Sequence, residues 1–368
     1  MNAERLHALA LAVKDDLQAT RVVATMQQLR DALQNQVNAP QEPTYQQQVS
    51  TALQQLAESL AAASSKTFPP TWGQALVELG IEGLIGQPLA DAVRDIFERN
   101  QITPSVAHQE IQALTERLEA LATALDQLLA ALSHLGVGSE DLETGEAEVG
   151  ILIPRAVIDN ELGQLGDEFV QLQKLLGPFL EIATGTRPAV EVRTISSTDF
   201  GVFLDIAPEA AAFLALAVER VVALYKSLLE IRTLRHGLRG QGLSDASLAG
   251  IDEHADEHMT AGIAAAVDEL VDERSGIEAG RNNELKTELR LTLHAIANRI
   301  DKGYNIDVRA KAPEESAEDS ESTSVDGLAQ AFRTIAKVAP GLRFINRSGE
   351  PILSLPEAPQ APDYTSTD

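Results

Sequence analysis

The chain contains no cysteine. That excludes disulfides, thiolate nucleophiles and cysteine-ligated zinc. It also agrees with a reducing compartment, so the expected location is the cytoplasm. Aromatic residues make up only 4% of the 368 positions, which leaves few stacking platforms for single-stranded nucleic acid. Positive charge is scarce: 29 Lys and Arg stand against 55 Asp and Glu, for a formal net charge of −26. A field of that sign repels phosphate backbones and anionic lipid surfaces, so the expectation is no nucleic acid and no membrane among the partners. Long apolar runs are missing as well. No stretch nears the ~18 residues of a membrane helix. The opening residues are interrupted by Lys14, Asp15 and Asp16, so they lack the apolar block of a signal peptide.

What is present is a core. Hydrophobic residues make up 44%, mostly Ala, Leu, Val and Ile, a mixture that favours helices packed through small and branched side chains. The expected fold is α+β and predominantly helical. An N-terminal helical, coiled-coil-like bundle region leads into an α/β body with a mixed sheet. The boundaries read as 1–138 for the helical region, 139–310 for the body, 311–324 for an acidic linker, 325–357 for a helix plus β-hairpin, and 358–368 for a tail.

Residues 4–36 read as one long amphipathic helix, and 43–65 as its antiparallel neighbour, both with Gln-rich polar faces. The clearest periodicity follows Thr103-Pro104. Ile111, Leu114, Leu118, Leu121, Leu125, Leu128, Leu132 and Leu135 alternate at spacings of three and four, a heptad seam of more than three repeats. Such a seam either packs inside the chain or is shared with a partner.

The periodicity then changes. Val149–Ile153 is an apolar run that reads as a buried strand, and 155–183 as a helix with a break expected at Gly177-Pro178. Residues 189–195 and 200–206 alternate as a strand pair. The order strand, helix, strand, strand predicts a crossover unit plus a hairpin, hence the mixed sheet. A strongly apolar helix is expected over 208–236, with a glycine break at Gly237, Gly240 and Gly242. Further helices are expected to about 274 and over 278–302, and a strand over 304–310. Leu342–Asn346 and Pro351–Leu355 flank Arg347-Ser348-Gly349-Glu350 as a second hairpin.

Three groups of residues carry candidate chemistry. His254 and His258 lie one turn apart on a helix, the geometry for two imidazoles to share a metal, with Asp252 and Glu257 as nearby oxygen donors. The order His-x-x-Glu-His resembles, over five residues, the inverted zinc-peptidase motif. No clear third ligand follows downstream, although Glu269 and Glu273 lie on suitable turns. Against this stands the plain reading of a solvated acidic helix face. Arg232, Arg235, His236 and Arg239, with Lys226, form the densest cationic cluster. They either satisfy the negative end of a helix or bind an anion or an acidic segment, for which the chain's own 313–321 is a candidate. Thr194–Asp199 is a hydroxyl-rich turn, which is also ordinary turn chemistry. No phosphate-binding glycine loop stands at a strand–helix junction, and no nucleophile elbow exists.

The leading functional expectation is a non-enzymatic interaction or assembly protein, a scaffold or adaptor. It needs no cofactor and engages a protein partner, a second copy of itself, or both. The alternatives are a metal-dependent enzyme using His254 and His258, and a sensor or regulatory subunit of a multi-protein bacterial system such as phage defence.

Overall fold

The structure is a computed structural model that describes residues 3–139, 142–196, 200–272, 279–313, 323–342 and 349–357. Eleven α-helices and four strands lie among the described residues, so the chain is predominantly helical α+β. It divides into two units, Met1–Phe68 with Trp72–Asp141, and Pro69–Thr71 with Leu142–Asp368.

The first unit is built from α1 (Ala3–Thr20), α2 (Val22–Asn38), α3 (Pro43–Ala61), α4 (Pro70–Glu78), α5 (Gly86–Arg99) and α6 (Pro104–His134). The single N-terminal helix expected over 4–36 is instead two. Arg21 sits in the left-handed region at φ 50°, and Thr20 bonds back to the Asp16 carbonyl at 2.7 Å, a local competitor of the helical ladder. Asp16 is buried, and its Oδ1 accepts from the Ser64 hydroxyl and from the Ser64 and Ser65 amides. That carboxylate ties α1 to the segment after α3. Leu9, Val13, Met26, Leu29, Leu56, Leu89, Ile111 and Leu118 fill the core between these helices, and α6 packs along both α1 and α2.

The second unit holds β1 (Ala147–Ile153), α7 (Leu162–Thr184), β2 (Glu191–Ser196), β3 (Phe200–Asp205), α8 (Pro208–Gly240), α9 (Asp245–Asp272), α10 (Ala279–Asp301), β4 (Asn305–Ala310) and α11 (Thr323–Val338). The sheet order is β2-β3-β1-β4 and every neighbouring pair is antiparallel. This corrects the mixed sheet. The crossover through α7 does return β2 parallel to β1, but β3 inserts between them. Val149 and Ile151 of β1 register with Leu204 and Val202 of β3 and with Val308 and Ile306 of β4. These side chains form one face of the sheet and join the core of α7, α8, α10 and α11. The alternate residue Glu148 is buried and is held by Arg309 at 2.6 Å.

Two expected breaks are absent. Helix α7 runs through Pro178, because Pro178 and Phe179 are buried in the core and Phe179 meets Phe213 edge-on at 5.8 Å. Packing there outweighs the one backbone bond that proline removes. Helix α8 continues through Gly237 to Gly240, and its turn comes at Gly242, φ +94°. Helix α7 also starts later than expected, since Asp159 and Asn160 adopt positive φ. Of the expected second hairpin, 343–348 lies outside the described residues, and 351–357 carries no regular secondary structure. Most of the expected acidic linker and the whole tail also lie outside them.

Candidate peptide-binding groove

Helices α8, α9 and α10 together hold the segment 349–357 as a strap. The strap's backbone is read almost entirely by side chains. Arg232 Nη2 donates to the Gly349 carbonyl at 2.5 Å. Asp301 Oδ2 accepts from the amides of Ile352 and Leu353 at 2.6 and 2.8 Å. Asp256 Oδ1 takes the Ser354 amide at 2.9 Å. Asn298 contacts one residue in both directions, accepting from the Leu355 amide at 3.0 Å and donating to its carbonyl at 2.8 Å. His294 Nδ1 donates to the Pro356 carbonyl at 3.1 Å.

Each of the four amides from Ile352 to Leu355 therefore has a partner. The flanking residues, Pro351 and Pro356, carry no N–H to satisfy. A strand in a sheet meets the same demand through a neighbouring backbone. Here two carboxylates and an amide take the neighbour's place for the strap's amides, and an imidazole does so for the Pro356 carbonyl. The side chains of Ile352, Leu353 and Leu355 are 4%, 6% and 4% exposed, while Ser354, Pro356 and Glu357 face outward.

The anchor of the groove is Asp301, which is fully buried. Its Oδ1 accepts from the Tyr225 hydroxyl and from Arg232 Nη1, each at 2.7 Å. Arg232 also reaches the Tyr225 oxygen and the Asp301 carbonyl. Burial, with the Asp301 charge beside it, pushes the Tyr225 phenol up, so it stays protonated and keeps donating. Burial pushes the His294 imidazole below its ordinary range, against the bond to the Pro356 carbonyl. A neutral ring with its proton on Nδ1 fits that bond. Desolvation raises the Asp256 carboxyl, opposed by the Ser354 amide it accepts from.

The cationic cluster forms part of this groove, and the structure gives each arginine a carboxylate. Arg232 is only 5% exposed and pairs with Asp301. Arg235 donates to Asp252 at 2.9 Å. Arg239 pairs with Glu350 of the strap. His236 stacks under Gly349, whose φ is +80° and whose missing Cβ would lie 2.9 Å from the imidazole side chain. The arginines of the cluster thus meet the chain's own carboxylates, among them Glu350 of the strap, while most of 313–321 lies outside the described residues.

His254 and His258 are exposed, and His258 Nε2 lies 3.2 Å from the Ser227 hydroxyl. Asp252 is taken by Arg235, and Glu269 pairs with Arg220 at 2.6 Å. Glu273 lies outside the described residues. Among the described residues no group of three or more His, Asp or Glu is placed to hold a metal ion. The hydroxyl turn falls mostly on 197–199, also outside them.

The leucine seam faces inward. Ile111, Leu118, Leu121, Leu125 and Leu132 are buried against the first unit's own helices, with Leu114 and Leu128 partly so. Leu129 shares the buried stripe. Only Leu135, just past the helix end, is open, at 78%. The seam therefore offers no continuous face to a partner in this arrangement. A concavity of about 760 Å³ between α2 and α3 is lined by polar groups such as Gln28, Asp31, Asn35, Gln47 and Gln55. It carries no general acid and base pair.

Sequence reasoning missed Asp301, Asn298 and His294. A signal existed: their spacings of four and three place them on one face of α10, a polar stripe beside the apolar stripe of Leu289, Leu293, Ile296 and Ile300.

No protein-family model matches this sequence, and no curated protein or solved structure matches it. Among the described residues, no helix is long and apolar enough to cross a membrane.

Proposed function

We propose that this chain is a non-enzymatic interaction protein whose contact is the α8–α9–α10 groove, and that its ligand is an extended peptide segment. The observation that carries this reading is the two-way bond of Asn298 to the Leu355 backbone, next to the paired amides on Asp301. Side chains that read main chain in this way hold a peptide by its backbone, while the apolar positions supply affinity and the ends are left to set selection. The strap is then a resident ligand in cis. The contact proposed is this groove and not the leucine seam.

The test uses the full chain carrying Leu355→Ala. A buried Leu→Ala change costs about 2–5 kcal/mol, which weakens the resident strap while leaving the groove walls intact. A fluorescein-labelled peptide with the sequence of residues 349–357 is expected to bind this variant, by anisotropy, and to raise its melting temperature with concentration. Adding Asn298→Ala to the groove is expected to abolish that binding. Failure of the peptide to bind the Leu355→Ala chain at millimolar concentration removes the reading.

A further inference from the structure

We infer that the groove selects peptides whose apolar centre is bracketed by carboxylates, in the pattern acid, Pro, apolar, apolar, polar, apolar, Pro, acid. This rests on the groove reading above and adds the chemistry of the partner. The pattern is that of the strap from Glu350 to Glu357. At one end Glu350 meets Arg239 of α8. At the other, Glu357 accepts from Asn298 Nδ2 at 2.8 Å and lies 3.5 Å from Arg299 of α10. Two cationic posts thus stand at the two mouths of the groove, seven residues apart along the ligand. Between them the ligand's amides meet only acceptors, Asp301, Asp256 and Asn298. In a chain of net charge −26, an acidic ligand is repelled over most of the surface and is stabilised only where arginines are concentrated, which confines it to this groove.

The posts differ in weight. Arg239 and Glu350 are 39% and 64% exposed, so their pair is a rim contact and is screened by salt. Arg299 is only 10% exposed, and it also holds Glu168 at 2.8 Å, so its position is fixed before a ligand arrives. The second acidic position therefore carries more of the selection. The apolar centre holds the peptide in place, and the carboxylates determine which apolar peptides are accepted.

The experiment measures competition for the labelled strap peptide on the full-length Leu355→Ala chain, at 50 and 300 mM NaCl. The competitors are the unlabelled parent peptide, a form with both glutamates changed to lysine, and one with only the residue equivalent to Glu357 changed. The doubly changed peptide is expected to lose about tenfold in affinity at low salt, with the gap narrowing at high salt. The single change is expected to account for the larger part. Arg239→Glu, an exposed substitution, is expected to restore part of the loss for a peptide with lysine at the first acidic position. If the parent and the doubly changed peptide compete equally at both salts, the charge selection is overturned while the groove reading stands. If the parent itself does not compete, both fall.

Discussion

Asp301 bears the largest concentrated load in the second unit, and its removal has a calculable cost. Asp301→Ala takes the acceptor away from Tyr225, from Arg232 and from two strap amides at once. Arg232, 5% exposed, loses its buried carboxylate partner, and breaking a buried pair in this way costs roughly 3–5 kcal/mol. The two amides would add about 1–3 kcal/mol each if they stayed buried. The chain has a cheaper route, in which the strap peels away and hydrates those amides. That route exposes Ile352, Leu353 and Leu355, at about 1.5–3 kcal/mol each. Either way the expected loss is about 4 kcal/mol or more, measured by urea denaturation followed by circular dichroism. The sharper test is a double-mutant cycle. Arg232→Met with Asp301→Leu replaces the ion pair with apolar groups and should recover at least about 1 kcal/mol over the sum of the single changes. A single-mutant loss below about 1 kcal/mol, or strict additivity in the cycle, refutes the account of Asp301 as an anchor.

Other consequences can be measured alongside. Because His294 is held below its ordinary value of 6.5, the unfolded chain takes up that proton first. Stability is then full above about pH 7 and falls as pH drops through 6.5 toward the depressed folded value. Denaturation at pH 7.5 and 5.5 should show this loss, and His294→Gln should flatten it. Asp256, held above its usual 3.8, acts in the opposite sense at lower pH, with stability gained as pH falls through its raised value. Gly349→Ala forces a side chain onto His236 at a positive φ and should destabilise by about 1–3 kcal/mol, seen as faster proteolysis of the strap. Leu121→Asp with Leu125→Asp places two carboxylates in the core of the first unit. It should melt that unit's helical signal in circular dichroism; an unchanged melting curve would contradict the buried seam.

Much of the fold was legible from spacing alone. The seam located α6, the apolar run 149–153 located β1, and the alternation at 304–310 located β4, because each signal is local and repeats along one element. What failed was decided by partners distant in sequence. Strand order depended on β3 sliding between β1 and β2, which no local period encodes. Pro178 and Gly237 look like breakers until their surroundings are known, since core packing, in the case of Pro178, overrides propensity. The kink at Arg21 has neither glycine nor proline to announce it. The groove was the least visible feature, because its walls are spread over three helices and its occupant lies some fifty residues beyond the last of them. The histidine pair is a local pattern on one helix face, and among the described residues no third ligand joins it.

The order in which these parts leave the ribosome matters. Helices α8, α9 and α10 are all synthesised before residues 349–357, and roughly fifty residues separate Asp301 from Leu355. At about 5–20 residues per second, the walls wait some 3–10 s for the segment that fills them. In that interval the nascent chain presents Asp301, Asn298 and an apolar trough without their cover. Under the proposed function, a ligand already in the neighbourhood would meet no internal rival in that interval.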